Sequence, residues 1–307
     1  MKKRIILAGG SGFIGRTLAP VLLTNGYEPV VLTRGTAREK GGIRFLQWNG
    51  RNIDNWAELV DGAKAVLNLA GKSVNCRDNA ANRREIIDSR VDSVHVLGQA
   101  IAQCSDPPEA FVQASSLAIY GDSGDRWCDE DAPQGEGFGA DVCRVWEKTF
   151  AEIDSPSMRK SVFRIGFAIG PDGGVLEFLA RLARWFLGGR VGNGQQFVSW
   201  IHMSDLNRMF LWAILRDDIE GVFNVCTPNP VTNAALMCDL RHALHRPWSP
   251  PVPAWLSQIG AWILGTDAKL ALTGRRCRPR HFLNSGFEFE FPELRVALAD
   301  IFSSTRK

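Results

Sequence analysis

The sequence predicts an α/β protein with a doubly wound, Rossmann-type parallel sheet and a smaller, mainly helical C-terminal lobe. Short apolar runs alternate with helical stretches through the first two thirds of the chain, which is typical of a parallel sheet covered on both faces. A glycine-rich turn separates the first apolar run from the first helical stretch. Beyond residue 226 the pattern changes to helical segments interrupted by prolines, which indicates a second unit.

Seven apolar runs are the candidate strands, and their length suits buried parallel strands. They cover 4–8, 29–33, 43–47, 64–69, 110–114, 161–165 and 222–225. Helical periodicity predicts helices over 12–25, 82–103, 140–153, 175–187, 233–244 and 254–264. Thr232 is a candidate N-cap of the helix at 233–244, because its hydroxyl can accept a hydrogen bond from a free N–H.

These elements suggest two unequal units. We expect residues 1–168, completed by about 196–226, to form a dinucleotide-binding domain. Residues 169–195 and 227–307 would form the smaller lobe over the carboxyl ends of the strands, where open α/β sheets bind ligands. The lobe is rich in tryptophan, and we interpret its tryptophans as core and lobe-interface residues: Trp248, Trp255 and Trp262.

The glycine turn reads Gly9-Gly10-Ser11-Gly12-Phe13-Ile14-Gly15 and follows the first apolar run. Glycines let the chain turn sharply and let a pyrophosphate approach the backbone. The free N–H groups and the positive dipole end of the following helix then stabilise the phosphate charge. Strand, turn and helix start in this order predict a dinucleotide site that includes Gly9, Gly12, Phe13, Ile14 and Gly15.

The second candidate strand ends at Thr33-Arg34, where this fold meets the adenosine ribose. An acidic residue there binds the 2′-hydroxyl of NAD, whereas an arginine accommodates the 2′-phosphate of NADP. This position has no acid, and Arg34 offers a planar cationic group suited to phosphate. The sequence therefore predicts NADP(H) as the cofactor, with Thr33 and Arg34 in its site; the alternative is that Arg34 is an ordinary surface arginine.

Composition excludes several classes of protein. The charge is nearly balanced, with 36 Lys+Arg against 33 Asp+Glu, and no basic run suggests a nucleic-acid partner. The seven cysteines contain no CxxC pair, which fits a reducing cytoplasm and argues against a disulfide framework or a metal site. No segment approaches the ~18–20 apolar residues of a membrane span. We therefore expect a cytoplasmic protein with no metal, nucleic-acid or membrane partner.

The order of motifs resembles the extended short-chain dehydrogenase/reductases, the family of nucleotide-sugar epimerases and dehydratases. Within that family the chain is most similar to an atypical epimerase-like subgroup whose reaction is not established. Resembling segments span nearly the whole chain and include Gly9 to Gly15, Asn68 to Gly71, Asp88 to Arg90, Ser115 to Gly121, Cys143 to Glu147, Arg164 to Pro171, Gly192 to Gln196, Ser199 to Leu206, Pro228 to Asn233 and Gly274 to Pro279.

The resemblance implies further cofactor contacts. The segment Leu69, Ala70 and Gly71 would present backbone to the phosphate–ribose stretch. Glu85 and Arg90 would approach it from the following helix, although a solvated helix face is an equal interpretation of both. Ser115 would contribute at the end of the fifth strand, and Gly166 to Ala168 would lie near the nicotinamide. Where relatives more often carry an acidic residue after the glycine, this chain has Lys72.

The proton-transfer pair of the family is missing. The usual members use a Tyr-x-x-x-Lys pair, in which the lysine lowers the pKa of the tyrosine. This chain has only Tyr27 and Tyr120, and neither is followed by lysine four residues later. Phe138 and Val142 stand in the matching places. An apolar stripe at helical spacing indicates packing on that face: Val142, Val145, Trp146, Thr149 and Phe150.

Other polar groups are weaker catalytic candidates. Ser116 matches the family serine that hydrogen-bonds the reacting oxygen, and the alternative is a hydroxyl that caps a strand end. We interpret Tyr120 as structural, Lys72 as solvated and Cys143 as a buried thiol. The resemblance indicates that His202 and Asp205 organise the junction between the lobes.

Two functions remain open from the sequence. The first is an NADP(H)-dependent oxidoreductase or epimerase that acts on an unknown small or sugar-like substrate. The second is a non-catalytic NADP(H)-binding sensor or regulatory protein. The retained cofactor loop, Ser116 and the substrate lobe favour the first, whereas the loss of both proton-transfer residues favours the second. The oligomeric state is not predicted.

Overall fold

The computed structural model describes residues 3–155, 157–171, 173–246, 248–253 and 272–304. Its strands confirm all seven apolar runs, with bounds that shift by one or two residues. They are β1 Arg4–Ala8, β2 Glu28–Thr33, β3 Arg38–Lys40, β4 Ile43–Gln47, β5 Ala65–Asn68, β6 Ala110–Ser116, β7 Trp127–Cys128, β8 Arg159–Ile165, β9 Phe167–Ile169, β10 Phe197–Val198, β11 Trp200–His202, β12 Gly221–Val225, β13 Val231–Thr232 and β14 Arg276–Cys277.

Helices follow most of the predicted stretches. They are α1 Phe13–Thr24, α2 Ala80–Ala102, α3 Phe138–Ala151, α4 Gly174–Arg184, α5 Met203–Leu215, α6 Asn233–Ala243, α7 Arg280–Asn284 and α8 Leu294–Ser304. The hydroxyl of Thr232 accepts a hydrogen bond from the N–H of Ala235 at 3.2 Å, which confirms the predicted cap. The helix expected over 254–264 lies outside the described residues, as do Trp255 and Trp262.

The main sheet has the strand order β12-β8-β6-β5-β1-β2-β4-β3 and is parallel except for the antiparallel edge strand β3. The doubly wound α/β fold is therefore confirmed. Strand β1 pairs with β2 on one side and with β5 on the other, so the strand order reverses there. Ligands of such sheets bind outside the carboxyl ends of the strands at this reversal. The fold thus places a crevice at the ends of β1 and β5.

Two apolar clusters underlie the fold. The larger fills the space between the sheet and its helices, and the four residues Ile5 to Ala8 of β1 are fully buried in it. The second joins α4, α6 and α8 through buried side chains such as Leu176, Leu240 and Leu298. This separate cluster is compatible with a smaller lobe, whose proposed bounds stay a prediction. Trp248 contributes to neither cluster and is two-thirds exposed, so its interpretation as a core or interface residue is wrong.

All seven cysteines are free thiols. Although they are scattered in the sequence, four of them meet in one small buried cluster beside Leu117, Ile119 and Tyr120. These four are Cys128, Cys143, Cys226 and Cys277. No helix among the described residues is long and apolar enough to cross a membrane.

Candidate active site

Two glycines of the turn, Gly9 and Gly15, are packed too tightly to be replaced by a residue with a side chain. Gly9 has φ of +71°, a conformation that favours glycine. A Cβ at Gly9 would lie 2.7 Å from the Cα of Ala70, and a Cβ at Gly15 would lie 2.3 Å from the Cα of Gly10. The turn is therefore pressed between its own helix and the segment that follows β5. This close approach gives the crevice the backbone surface that a pyrophosphate needs.

The first turn of α1 offers uncompensated N–H groups to the crevice. Gly12 is the N-cap residue, and no side chain caps the helix. The N–H groups of Phe13 and Ile14 belong to the first turn, and N–H groups in the first turn of a helix have no carbonyl partner within that helix. The ring of Phe13 packs against Gly174 at the start of α4, so only its backbone faces the predicted phosphate site. These residues fit an anionic group such as a pyrophosphate.

At the adenosine end the structure brings Thr33 and Arg34 to the edge of the crevice. Thr33 is buried, and its hydroxyl donates to Oγ of Ser11 at 3.0 Å, so it links the glycine turn to the end of β2. Arg34 is exposed. Within the described residues its guanidinium makes no hydrogen bond or ion pair. An unpaired guanidinium at this position fits a 2′-phosphate.

Backbone contacts hold the segment Leu69 to Gly71 beside the glycine turn. The N–H of Leu69 donates to the carbonyl of Ala8 at 2.8 Å. The N–H of Ala70 donates to the side-chain oxygen of Asn68 at 3.0 Å, and that side chain is itself buried. The backbone of Leu69, Ala70 and Gly71, which would make the predicted phosphate–ribose contacts, is thus held in a fixed position.

Arg90 braces this segment from α2. Its guanidinium donates to the carbonyls of Lys72 and Ile86 at 3.0 and 2.9 Å and stacks 4.9 Å from the ring of Trp146. Burial lowers the pKa of Arg90. Arg90 is half-buried and also touches Gly71. The interpretation of Arg90 as part of a solvated helix face is therefore wrong, and its contact with a cofactor stays a prediction.

Lys72 is also less solvated than its sequence position suggests. Its ammonium group is paired with the carboxylate of Glu85 and donates to the side-chain oxygen of Asn82 at 2.8 Å. The hydrogen bond from Lys72, with smaller contributions from nearby charges such as Arg34, lowers the pKa of Glu85. Glu85 is exposed, so its helix-face interpretation and its predicted cofactor contact both remain open.

We call the part of the crevice around Ser116 and the start of α3 the reaction end. It is apolar at the two positions where the family has its proton-transfer pair of tyrosine and lysine. Val142 is only 5% exposed and packs in the core, in the place that the resemblance gives to lysine. Phe138 begins α3, and its ring lies 4.8 Å below the guanidinium of Arg83. The predicted apolar stripe is buried at four of its five positions. Val145 is the exception, because it lies at the edge of the stripe and is 41% exposed.

Ser116 lies at the end of β6 and caps the short 3₁₀ helix Leu117–Tyr120. Its hydroxyl oxygen accepts a hydrogen bond from the N–H of Ala118 at 3.1 Å. The capping interpretation is thus correct for its oxygen. Its hydrogen donates to no group among the described residues and is available to a substrate oxygen, so the catalytic interpretation also stands as a prediction.

A buried polar network beneath Ser116 was missed by the sequence reasoning. The hydroxyl of Ser115 donates to Glu147 on α3 at 2.6 Å. The same carboxylate accepts two hydrogen bonds from Arg164 on β8, at 3.0 and 2.8 Å. Burial disfavours the charged guanidinium, but Glu147 outweighs it and raises the pKa of Arg164. An arginine inside the apolar strand β8 was the available signal, because a buried charge requires a partner.

Tyr120 belongs to the same network, in agreement with its structural interpretation. Its hydroxyl donates to the side-chain oxygen of Asn224 at 2.8 Å and accepts from Arg164 at 2.9 Å. Burial raises its pKa well above the usual range, so the phenol stays neutral. Cys143 is likewise inert, since burial raises the pKa of its thiol to about 11. Neither group replaces the missing acid.

The nicotinamide end and the lobe junction adjoin. Gly166 lies so close to β11 that a Cβ would stand 2.5 Å from the carbonyl oxygen of Ser199. Ala168 lies in β9 and pairs with Ile201 of β11. At the start of α5, His202 caps the helix. Asp205 is fully buried and accepts hydrogen bonds from the N–H groups of 290 and 291 at 2.9 Å, which ties α5 to the C-terminal segment.

Within the part of the chain that the structure describes, one group of metal-ligand residue types lies elsewhere, on α6. It comprises Cys238, Asp239 and His242. Asp239 is paired with Arg295 at 2.7 Å, and the imidazole Nδ1 of His242 lies 2.9 Å from the carbonyl oxygen of Cys238. The prediction that the protein holds no metal is not tested by this grouping.

This fold and crevice define a Rossmann-type dinucleotide-binding protein, and comparison with known proteins identifies its family. The chain matches the NAD dependent epimerase/dehydratase family over residues 5–226, and a domain of unknown function, DUF1731, over residues 252–301. It is 33% identical to the epimerase family protein SDR39U1 of Mus musculus, over 97% of this chain and 99% of the relative. It is 30% identical to the epimerase family protein YfhF of Bacillus subtilis, over 98% and 99%. The chain belongs to the NAD dependent epimerase/dehydratase family.

Solved structures agree with this assignment. Human SDR39U1 (isoform 2), crystallised with NADPH, matches with a TM-score of 0.86 at 30% sequence identity, over 98% of this chain and 99% of that chain. MoeE5 in complex with UDP-glucuronic acid and NAD matches with a TM-score of 0.76 at 22% identity, over 99% of both chains. The second likeness shows the fold alone.

Proposed function

We propose that this protein is an NADP(H)-dependent oxidoreductase or epimerase that acts on a small or sugar-like molecule without a Tyr-x-x-x-Lys pair. The observation that carries the proposal is the juxtaposition of a complete cofactor crevice with an available hydroxyl. The glycine turn and the uncapped start of α1 fit a pyrophosphate, and Ser116 ends the strand two places from β1 in the sheet. We place the protein in the cytoplasm, where its seven free thiols would stay reduced.

NADP(H) is favoured over NAD(H) by two observations. Arg34 is exposed at the position that meets the ribose and has no partner among the described residues, and no acidic residue stands there. The human relative that covers nearly the whole chain was crystallised with NADPH. A bound nicotinamide would supply or accept a hydride. The residues Gly9 to Gly15 and Arg34 would hold the phosphates.

Ser116 would position the substrate rather than carry the proton alone. Its hydroxyl oxygen accepts a hydrogen bond from the N–H of Ala118, so its hydrogen points away from that group and is free to donate to a substrate oxygen. The Ser115–Glu147–Arg164 network below fixes the backbone of the strand end. With Phe138 and Val142 in place of the proton-transfer tyrosine and lysine, the proton would come from water or from a group of the substrate.

The test is oxidation of NADPH, followed at its reduced-nicotinamide band against panels of carbonyl compounds and nucleotide sugars. Once a substrate is found, we expect Ser116→Ala to lower turnover roughly 100-fold while the affinity for NADPH barely changes. Ser303→Ala, which removes a hydroxyl from α8, is the control. Unchanged turnover in Ser116→Ala removes this residue from the mechanism.

A non-catalytic sensor or regulatory protein is the second candidate, and the buried Val142 and neutral Tyr120 favour it. It predicts tight NADPH binding with no turnover across broad panels. Recovery of a specific protein partner that depends on the bound cofactor would support it. Failure to bind NADP(H) in correctly folded protein contradicts both candidates.

A further inference from the structure

An exposed apolar surface lies at the end of α4, far in sequence from the glycine turn. Trp185, Phe186 and Leu187 follow the last residue of the helix and are 80%, 48% and 56% exposed. Trp248 is 66% exposed and lies in the segment that follows α6. We call these four residues the apolar tip. Soluble proteins rarely expose several large apolar side chains together on their surface, so the apolar tip indicates an interaction site.

Hydrogen bonds between two segments hold the apolar tip in place. The N–H of Gly188 donates to the hydroxyl of Ser249 at 3.1 Å. Arg246 donates to the carbonyl of Arg184 at 3.3 Å, and its guanidinium lies 5.3 Å from the ring of Phe186. Phe186 itself has φ of +59°, a strained value for a bulky residue. The fold therefore presents these side chains to solvent in a defined arrangement.

The two segments that form the apolar tip carry positive charge and no negative charge. Five arginines lie in the two segments 181–190 and 241–253, which contain no aspartate or glutamate: Arg181, Arg184, Arg190, Arg241 and Arg246. The acidic residues next along the two helices are Glu177 and Asp239, and Asp239 is neutralised by Arg295. Large exposed apolar side chains in two arginine-rich segments without carboxylates match a partner that is anionic at its surface and apolar beneath it.

A cavity beside the apolar tip is lined by two arginines. It has a volume of about 340 Å³ and is lined by Arg190, Ala234, Arg241, Ser249 and Pro251. Arg241 donates to the carbonyl of Gly188 at 2.8 Å through one terminal nitrogen. Its Nε is buried and has no hydrogen-bond partner among the described residues. The lining residues thus include two guanidinium groups and no carboxylate, which fits an anionic group such as a phosphate.

We propose that this face binds the surface of a membrane that contains anionic phospholipids. The apolar tip would enter the boundary between headgroups and acyl chains, where tryptophan and phenylalanine are favoured. The cavity of Arg190 and Arg241 would take a lipid phosphate. Such contact needs no membrane-spanning helix, and it revises the expectation of no membrane partner, which rested on the absence of an apolar span. A second copy of the chain fits poorly, because a symmetric contact would bring both sets of arginines together.

The experiment is co-sedimentation of the full chain with vesicles of phosphatidylcholine alone and with vesicles that also contain phosphatidylglycerol. We expect binding to the anionic vesicles, weakened by added salt. Trp185→Ser combined with Leu187→Ser should lower the partition coefficient about tenfold or more. Arg190→Gln and Arg241→Gln should each lower it about fivefold.

Matched controls keep the test specific. Leu215→Ser removes an equally exposed leucine from the end of α5, and Arg38→Gln removes an exposed arginine from the edge strand β3. Both should sediment like the unchanged chain. Unchanged NADPH affinity in every variant shows that the crevice remains folded.

Several results would overturn the proposal. The proposal is wrong if the chain does not sediment with anionic vesicles, or if it binds equally to both kinds of vesicle. Binding of inorganic phosphate at the arginine cavity without vesicle binding would instead assign the cavity to a soluble phosphate compound. A dimer in light scattering that Trp185→Ser dissociates would assign the apolar tip to self-association, and capture by an acidic peptide in preference to vesicles would assign it to a protein.

Discussion

The two ends of the cofactor crevice are built on different principles. At the glycine turn, the geometry depends on backbone approach, with Gly9 against Ala70 and Gly15 against Gly10. At the reaction end, the resemblance places two chemically active side chains where this chain has Phe138 and Val142. The contrast teaches that the cofactor crevice and the proton-transfer pair are separable: the crevice depends on the path of the main chain, whereas the pair is removed when two side chains change.

The electrostatics of the two ends differ in the same way. At the glycine turn and the adjoining end of β2, no side chain among the described residues caps α1 or pairs with Arg34, so positive potential is left for a ligand. Beneath Ser116, Glu147 and Arg164 neutralise each other. A site whose positive charge has no protein partner is suited to binding an anion. A site whose charges neutralise each other is suited to stabilising the fold. The predictions below test whether the first end alone determines cofactor affinity.

The largest effect is expected at Gly9. Gly9→Ala places a Cβ 2.7 Å from the Cα of Ala70, which moves the turn away from the segment after β5. We expect NADPH affinity to fall at least about 100-fold, because the phosphate contacts depend on this approach. Titration of NADPH fluorescence measures it.

The matched control for Gly9 is Gly26. Gly26 has φ of +83°, close to the value at Gly9, but a Cβ there meets nothing within 4 Å. Gly26→Ala therefore carries a similar backbone strain, of about 1 kcal/mol, without the collision. Unchanged NADPH affinity is expected in this variant. Equal loss in both variants would show that strain, and not the close approach, determines binding.

A smaller effect is expected at Arg34. Arg34→Ala should weaken NADPH binding roughly 10- to 100-fold and leave NADH binding unchanged, because only NADPH carries the 2′-phosphate. Arg38→Ala is the control, since Arg38 instead stacks 4.3 Å from the ring of Phe45. Parallel calorimetric titrations with both cofactors decide the result. An equal loss for NADH would mean that Arg34 acts on a group common to both cofactors.

Much of the fold could be predicted because it depends on local periodicity. The run Ile5 to Ala8 is buried on both faces, which gives an uninterrupted apolar strand, and the following glycines mark its end. The glycine turn was predictable for the same reason, since all its parts are adjacent in sequence. Helix α5 was missed, although its apolar residues also recur at helical spacing, and short pairs such as β7 with β14 carry too few residues to show a period.

The reaction end was less predictable because its contacts are distant in sequence. Glu147 meets Ser115 and Arg164 only after three elements pack together, and no local pattern shows which carboxylate a buried arginine selects. Val145 and Trp248 were assigned to buried positions and are exposed. Periodicity defines a face of a helix within about one residue position, so Val145 at its edge was misjudged, whereas Trp248 lies outside the helices and has no period that could place it.

Tyr120→Phe tests whether the reaction end is structural. The change leaves the side-chain oxygen of Asn224 without its donor, so we expect unfolding free energy to fall by about 2 kcal/mol. Tyr27→Phe is the control, because the Tyr27 side chain makes no hydrogen bond among the described residues. Turnover, where a substrate is found, should not change in either variant. A large loss of turnover with unchanged stability would make Tyr120 a catalytic group.

The two tyrosines also give a pH test of the same end. Burial raises the pKa of both Tyr27 and Tyr120, so folding favours the neutral phenols. Their contribution to stability is present below the unfolded pKa of about 10 and is lost as the pH rises above it. Ultraviolet absorbance should show the Tyr120 phenolate only when the chain unfolds in alkali. Ionisation of both tyrosines near pH 10 in folded protein would contradict the buried network.

The smallest effect is expected on the exposed edge of α3. Val145 is 41% exposed, so Val145→Lys should change the unfolding free energy by less than about 0.5 kcal/mol. The same substitution at Val142, which is 5% exposed, buries an unpaired ammonium group in the place of the family lysine and should be strongly destabilising. Chemical denaturation measures both. A well-folded Val142→Lys variant with raised turnover would show that the reaction end still accommodates the proton-transfer lysine. The difference between the two ends of the crevice would then depend on a single residue.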